Sequence, residues 1–300
     1  MADLSITLCG IKMKNPLILA SGIRSNNASL LIRAAKEGAG AVTSKSCSLN
    51  AREGHPNPTA IELKNYIINA IGLSNPGVDV EVEEIKRAVK EAGVPVISSI
   101  YGASAEEFVQ VAKKIASASP AMIELDASCP NIQKEGKMFS SSAENASEIV
   151  KTVKKEVKNI PISIKLSANV PNIGEISRAC EEGGADCISA INTLPAMLID
   201  IYAKKPVLAN KYGGLSGPAI FPIALHAVNE IRNSTSLPII GGGGIISGKD
   251  AVQMLMAGAN AISIGSALYY REKTFEKIKH ELIEFMEKEK YEKIEDIKME

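Results

Sequence analysis

Two lysines, one cysteine and two glycine-rich turns are the residues of this sequence best suited to chemistry. Lys45 follows the apolar stretch AVTS and Lys165 follows ISI, so each ammonium ends a run that reads as a buried strand. Lysines are rarely fully buried, and a pair held this way needs compensating negative charge, which an anionic ligand would supply. The blander reading lets each stem snorkel to the surface on its own, and it explains one such lysine better than two. The run Gly241 to Gly244 lets backbone N–H groups approach an anion with no side chain in the way. The segment from Ser247 reads as a helix that adds its positive end to the same place. IGSAL, with Gly265 and Ser266, repeats the arrangement after the next apolar run. A single tight turn also selects glycine, but the pair of turns reads as a cradle for a phosphate monoester.

Cys129 stands in ELDASCPNIQ, residues 124 to 133, before a proline that fixes the backbone beyond it. A thiol with an ordinary pKa of ~8.5 is a usable proton acceptor near neutrality where cations favour the thiolate. The other cysteines (Cys9, Cys47, Cys180 and Cys187) are scattered and lack the CxxC spacing of zinc or redox sites. They read as reduced, packed thiols, and no metal is expected. His55, His226 and His280 are dispersed, so no Cys/His nucleophile pair is visible; His55 alone lies in a long loop.

The elements that position these groups repeat. KEGAGAVTSKS, EAGVPVISSIYG, EEGGADCISAINT and MAGANAISIGSAL each carry a helical stretch into glycine and then a short β-branched run. The glycine suits a helix C-cap and the apolar run suits a strand buried on both faces. NPLILASG, AMIELDAS, IPISIKLSA and LPIIGGGG complete eight strands, each followed by a helical segment, which predicts an α/β fold of the (β/α)8 TIM-barrel type. No early strand leads into GxGxxG, against an open doubly wound sheet. A barrel places its active groups at strand C-termini, where Ser21, Lys45, Ser99, Cys129, Lys165, Asn192, Gly243 and Gly265 fall. A short N-terminal hairpin carries Cys9. Long loops follow strands two (47–79), four and six (194–217), lengths usual for lids or binding loops. One domain over 1–300 is expected, ending in a charged helix and tail.

Composition narrows the ligand. Lysine plus arginine and aspartate plus glutamate balance at 34 each, without a basic stripe, so nucleic acid is not expected as a partner. The N-terminus lacks a basic region followed by a long apolar run, and no apolar segment reaches the ~20 residues that span a bilayer. A cytoplasmic protein with a small ligand, and no membrane partner, is expected.

In order along nearly the whole chain, NPLILASG, TSKSCSLNAREGHPNP, NAIGLSNPG, SCPN, IKLSANV, AINT, KPVLANKYGGLSGPA, IIGGGGI, IGSALYY and YEKIEDI resemble the motifs of the class 1 dihydroorotate dehydrogenases. These are flavin-dependent barrels of pyrimidine biosynthesis. NAIGLSNPG and the stretch from INTLPAMLIDI to GGLSGPA are similar to the class 1B, NAD-linked branch, whose catalytic subunit works with an iron-sulfur and FAD subunit. The resemblance implies FMN held by Ser21, Lys45, Ser46, Ser99, Asp126, Lys165, Ile191, Gly217, Gly243, Gly244, Gly265 and Ser266. It implies dihydroorotate and orotate held by Lys45, Asn69, Ile71, Gly72, Leu73, Asp126, Asn131, Asn192 and Thr193, with Cys129 as the base. It further implies a homodimeric core, an electron-transfer partner and a pocket closed by the strand-four loop.

Two positions depart from that pattern. Asp126 stands where the family has asparagine, and an ionised carboxylate only accepts hydrogen bonds where an amide also donates. Protonation in a closed site, pairing with Lys45 or Lys165, or a substrate with an extra donor would each reconcile it. Thr59 stands where arginine often follows the NPxP loop. Alternative readings are a related flavin oxidoreductase acting on another cyclic amide or dihydropyrimidine, and a flavin-binding subunit without dehydrogenase activity of its own.

Overall fold

The computed structural model describes residues 2–128 and 142–299. In chain order the first elements are β1 (Ile6–Leu8), β2 (Ile11–Met13), β3 (Leu17–Leu19), α1 (Ala28–Lys36), β4 (Ala41–Thr43), β5 (Ala60–Leu63), β6 (Tyr66–Asn69) and α2 (Val78–Glu91). Next come β7 (Val96–Ile100), α3 (Ala105–Ala116), β8 (Met122–Asp126), α4 (Ala143–Glu156), β9 (Ile162–Leu166), α5 (Ile173–Glu182) and β10 (Cys187–Ala190). Then follow β11 (Leu194–Ala196), β12 (Ile199–Asp200), β13 (Lys205–Pro206), β14 (Gly213–Ser216), α6 (Phe221–Arg232) and β15 (Ile239–Gly242). The last are α7 (Gly248–Met256), β16 (Ala261–Ile264), α8 (Ala267–Tyr270) and α9 (Thr274–Glu289).

Eight of these strands close a parallel barrel in the order β3-β4-β7-β8-β9-β10-β15-β16, and they are the eight expected from the apolar runs. The helix-exit glycines of the repeats (Gly38, Gly93, Gly184 and Gly258) all have left-handed backbone, the conformation in which a Cβ is strained. At the opposite ends, Asn27, Ser104, Ser142, Asn172 and Ser247 cap α1, α3, α4, α5 and α7 by accepting an N–H from the first turn. Each such cap is worth ~1 kcal/mol and fixes where a loop at the strand C-terminal face stops.

The strands sort their side chains by parity. Ile162, Ile164 and Leu166 of β9 face the helices, as do Ile123 and Leu125 of β8, in the large core. Ile18, Ala41, Ile97, Met122, Cys187, Ile240 and Ala261 form an apolar floor inside the barrel, and Leu8 and Met13 of the β1–β2 hairpin seal it from below. The interior therefore opens only toward the strand C-termini, and the inward positions above the floor are polar.

The two long excursions meet each other. β5 and β6, after the second barrel strand, pair with β14 and β11, after the sixth, in a four-stranded antiparallel sheet ordered β11-β14-β6-β5. Two long loops, of lengths usual for lids or binding loops, were expected here; hydrogen bonding joins them into one wall, with Asn69 opposite Gly214.

Candidate active site

Above the apolar floor, Glu124 of β8 is 5 % exposed and accepts from Ser99 Oγ at 3.1 Å and Ser189 Oγ at 2.8 Å. Two residues on, the same face of β8 carries Asp126, which sits beside Lys165 in the β8–β9 register. Ser46 Oγ lies 2.9 Å from Ser99 Oγ and 3.3 Å from Ser21 Oγ, and it donates to Asp126 Oδ2 at 3.4 Å. Ser128 donates to Asp126 Oδ1 through both its Oγ (2.7 Å) and its N–H (3.3 Å). Asn192 Nδ2 in turn donates to Ser128 Oγ at 2.7 Å. Ser21, Ser46, Ser99, Asp126 and Asn192, expected at five different strand ends, are thus one hydrogen-bonded chain around the barrel mouth.

The carboxylate at 126 is accounted for by that chain. Its oxygens face protein donors, the hydroxyls of Ser46 and Ser128 and the Ser128 N–H. Pairing with a lysine is not how it is satisfied: among the described residues neither Lys45 nor Lys165 forms an ion pair with Asp126, whose bonds go to serines.

The second side of the mouth is the turn after β6. Asn69 Nδ2 donates to Gly214 O at 3.4 Å, and Thr193 packs so closely on Gly214 that a Cβ there would lie 2.1 Å from its Oγ1. Leu73 and Gly72 both have positive φ, and Ile71 is 37 % exposed. Asn75 holds this turn: its Nδ2 donates to Leu73 O at 2.8 Å and its Oδ1 accepts from Gly77 N at 2.9 Å. His55 braces it from outside, with Nδ1 3.1 Å from Ala70 O and its ring against Gly72. Asn75 and Glu124 were missed from the sequence. The signal for Glu124 was a charge at an inward position of MIELD, and for Asn75 the NPG triplet.

The glycine cradle forms at the ends of β15 and β16. Gly244 has φ +76°, and a Cβ there would lie 2.8 Å from both Gly217 O and Phe221 N; at Gly243 it would meet Ala224 and Ile191. Three backbone segments converge at this point. Gly265 differs: a Cβ would make only ordinary contact, 3.4 Å from Ala20 and 3.8 Å from Ile23, so the protein's own packing does not demand glycine. Among the described residues, the N–H groups of Gly243, Gly244, Gly265 and Ser266 meet no acceptor. Unfilled donors beside a side-chain-free surface fit the phosphate end of a flavin nucleotide.

The contribution expected from the helix at Ser247 is corrected. Asp250 accepts from Ile246 N, Ser247 N and Ser247 Oγ in a capping box, and Glu281 accepts from Gly248 N. The N-terminus of α7 is already filled by carboxylates, so the cradle relies on loop amides instead. Lys45 is half-buried, and loss of water holds its ammonium below the ordinary lysine range, partly offset by the nearby Glu81 carboxylate. Cys129, Asn131 and the strand-four loop lie outside the described residues.

The mouth of the barrel thus gathers two lysines, a serine–aspartate–asparagine chain and a cradle of backbone amides, an arrangement suited to an anionic cofactor. Residues 3–286 match the family model for dihydroorotate dehydrogenase, and the chain belongs to that family. It is similar to the catalytic subunit of dihydroorotate dehydrogenase B (NAD(+)) of Pyrococcus abyssi, with 45 % identity covering 98 % of this chain and 97 % of the relative. The subunits of the same name from Methanocaldococcus jannaschii (46 % identity, 95 % and 94 % covered) and Thermoplasma volcanium (44 %, 99 % and 98 %) resemble it equally. No helix among the described residues is long and apolar enough to cross a membrane.

Proposed function

We propose that this chain is an FMN-dependent catalytic subunit that oxidises dihydroorotate to orotate in pyrimidine biosynthesis. The observation that carries the reading is the near end-to-end match with catalytic subunits named for that enzyme. When bound, FMN supplies the acceptor for the hydride that leaves the substrate. Gly243, Gly244, Gly265 and Ser266 would hold its phosphate, with Gly217 and Ile191 closing that side. Ser21, Ser46, Ser99 and Asp126 line the barrel mouth where its ring would lie. Lys165 is half-buried on the inward face of β9. It would offset negative charge as electrons arrive.

For the substrate, Asn69, Ile71, Gly72 and Leu73 would line the pocket together with Asn192 and Thr193, with Asn131 completing the set. Lys45 supplies a cation to the substrate's carboxylate. Cys129 Sγ would take the proton from the substrate carbon next to the hydride-bearing one. The two excursions behind these residues are one hydrogen-bonded sheet rather than two free loops, a backing that would help keep water from the reacting atoms.

The relatives' name, a catalytic subunit, points to a second chain. We take this to be an iron-sulfur and FAD subunit that passes electrons to NAD, on a homodimeric core in the cytoplasm. Exposed Met197, Ile199, Ile201 and Tyr202 around β12 offer apolar area for protein contact. The reading is tested by mixing the purified protein, after incubation with FMN, anaerobically with dihydroorotate. Prompt loss of flavin absorbance is expected, and a colourless protein that cannot take up FMN overturns it.

A further inference from the structure

Glu81 is a carboxyl in an unusual place. It is 2 % exposed, on the first turns of α2, and it lines the same cavity of about 150 Å³ as Lys45, Asn26, Ser74, Asn75 and Pro76. Val78, Val82, Ile85 and Ala88 are the other buried residues of that helix, so Glu81 occupies a core position of an apolar stripe. Helical spacing therefore aims it at the barrel rather than at water. Its charged and titratable neighbours are Lys45 and Cys47 from the β4 end and Glu84 one turn on, whose carboxylate accepts Ala28 N at the start of α1. Asp79 of the same turn is engaged outward with Lys114 of α3. Within the site reading proposed above, on which this step rests, Lys45 is the cation that receives the substrate anion.

We infer that Glu81 is a positioning residue that couples proton uptake to binding of the anionic substrate through Lys45. The Lys45 ammonium favours the ionised form of Glu81 as long as no other anion claims it. An arriving carboxylate neutralises that field, and a desolvated Glu81 then takes a proton from solvent. One proton is gained, no bond to carbon changes, and Lys45 is left to a single counter-charge. Burial pushes the Glu81 carboxyl up to about 7, so the exchange operates near neutral pH.

Calorimetric titration of the flavin-loaded protein with orotate, in two buffers of different ionisation heat, counts the protons. A fraction of a proton should be taken up near pH 7, fading toward acid and alkaline pH. Orotate affinity should weaken by about two- to threefold from pH 6 to pH 9, the effect of displacing one carboxyl by a fraction of a unit. Glu81→Gln should abolish the uptake. Ser44→Ala removes a hydrogen bond that favours the Glu81 carboxylate, so it should move the uptake to higher pH. Ser44→Ala also serves if Glu81→Gln fails to fold. Zero uptake in the wild-type protein, or equal uptake in Glu81→Gln, overturns the inference. If Lys45→Ala weakens orotate tenfold or more while uptake ignores Glu81, the site reading stands and the coupling falls. If Lys45→Ala leaves orotate affinity unchanged, both fall.

Discussion

Ser128 joins Asp126 to Asn192: its hydroxyl donates to the carboxylate at 2.7 Å and accepts from the amide at 2.7 Å. One small side chain thereby ties the end of β8 to the loop after β10, immediately before Cys129. Ser128→Ala removes both hydroxyl bonds, leaving the part-buried Asn192 amide without this acceptor and Asp126 Oδ1 with only the Ser128 N–H, a cost of roughly 1–3 kcal/mol. If that cost falls on substrate positioning, kcat/KM for dihydroorotate drops roughly ten- to a hundredfold while flavin content is unchanged. Loss of flavin instead would place Ser128 under the cofactor.

Asp126→Asn is expected to be nearly silent. The oxygens of Asp126 are used by Ser46 and Ser128, and an asparagine can keep its Oδ1 on Ser128 while its Nδ2 donates to Ser46 Oγ, which has lone pairs free. Turnover with dihydroorotate should stay within a fewfold of the wild-type value. A gain of tenfold or more would mean that the carboxylate faces the substrate and sets its identity, which would favour a different cyclic amide as the natural one.

The two glycine turns separate packing from ligand. Gly244→Ala puts a Cβ 2.8 Å from two backbone atoms at φ +76°, so the variant should lose stability as well as flavin. Gly265→Ala meets nothing closer than 3.4 Å and should fold with an unchanged unfolding midpoint. If the cradle holds a phosphate at that turn, Gly265→Ala nevertheless purifies with less FMN. Full flavin occupancy in Gly265→Ala would move the phosphate away from the β16 turn.

The barrel was legible because each strand announces itself locally, with glycine or proline shortly before it and an apolar run within it. The wall of the site was not. β14 is GGLS and β11 is LPA, with no strand propensity of their own. β14 is a strand because β6, distant in sequence, pairs with it, and β11 in turn pairs with the free edge of β14. The α7 terminus misled for a related reason: Asp250 is visible three residues after Ser247, but Glu281 arrives from α9, which only the packed structure brings near. Glu81 lay in plain view. In VDVEVEEI the charges suggest a solvated first turn, yet position 81 is three residues after Val78 and four before Ile85, on the apolar stripe.

That misplaced carboxyl has a consequence for stability. Burial raises its pKa from the ordinary 4.5 to about 7, so the folded protein holds a proton that the unfolded chain has lost between those pH values. Stability contributed by the neutral group is complete below pH 4.5, declines as pH rises toward 7, and is gone above it. The whole difference is on the order of 3 kcal/mol. Glu81→Gln removes the titration without removing the volume. Urea unfolding of both proteins from pH 5 to pH 8 should therefore show the variant gaining on the wild-type protein as pH rises, with the gap levelling above pH 7. A constant gap would mean that Glu81 does not titrate in this window. A gap opening with the expected sign marks a charge kept in the core at a cost in stability, the trade expected where a residue is retained for its effect on a neighbouring binding site.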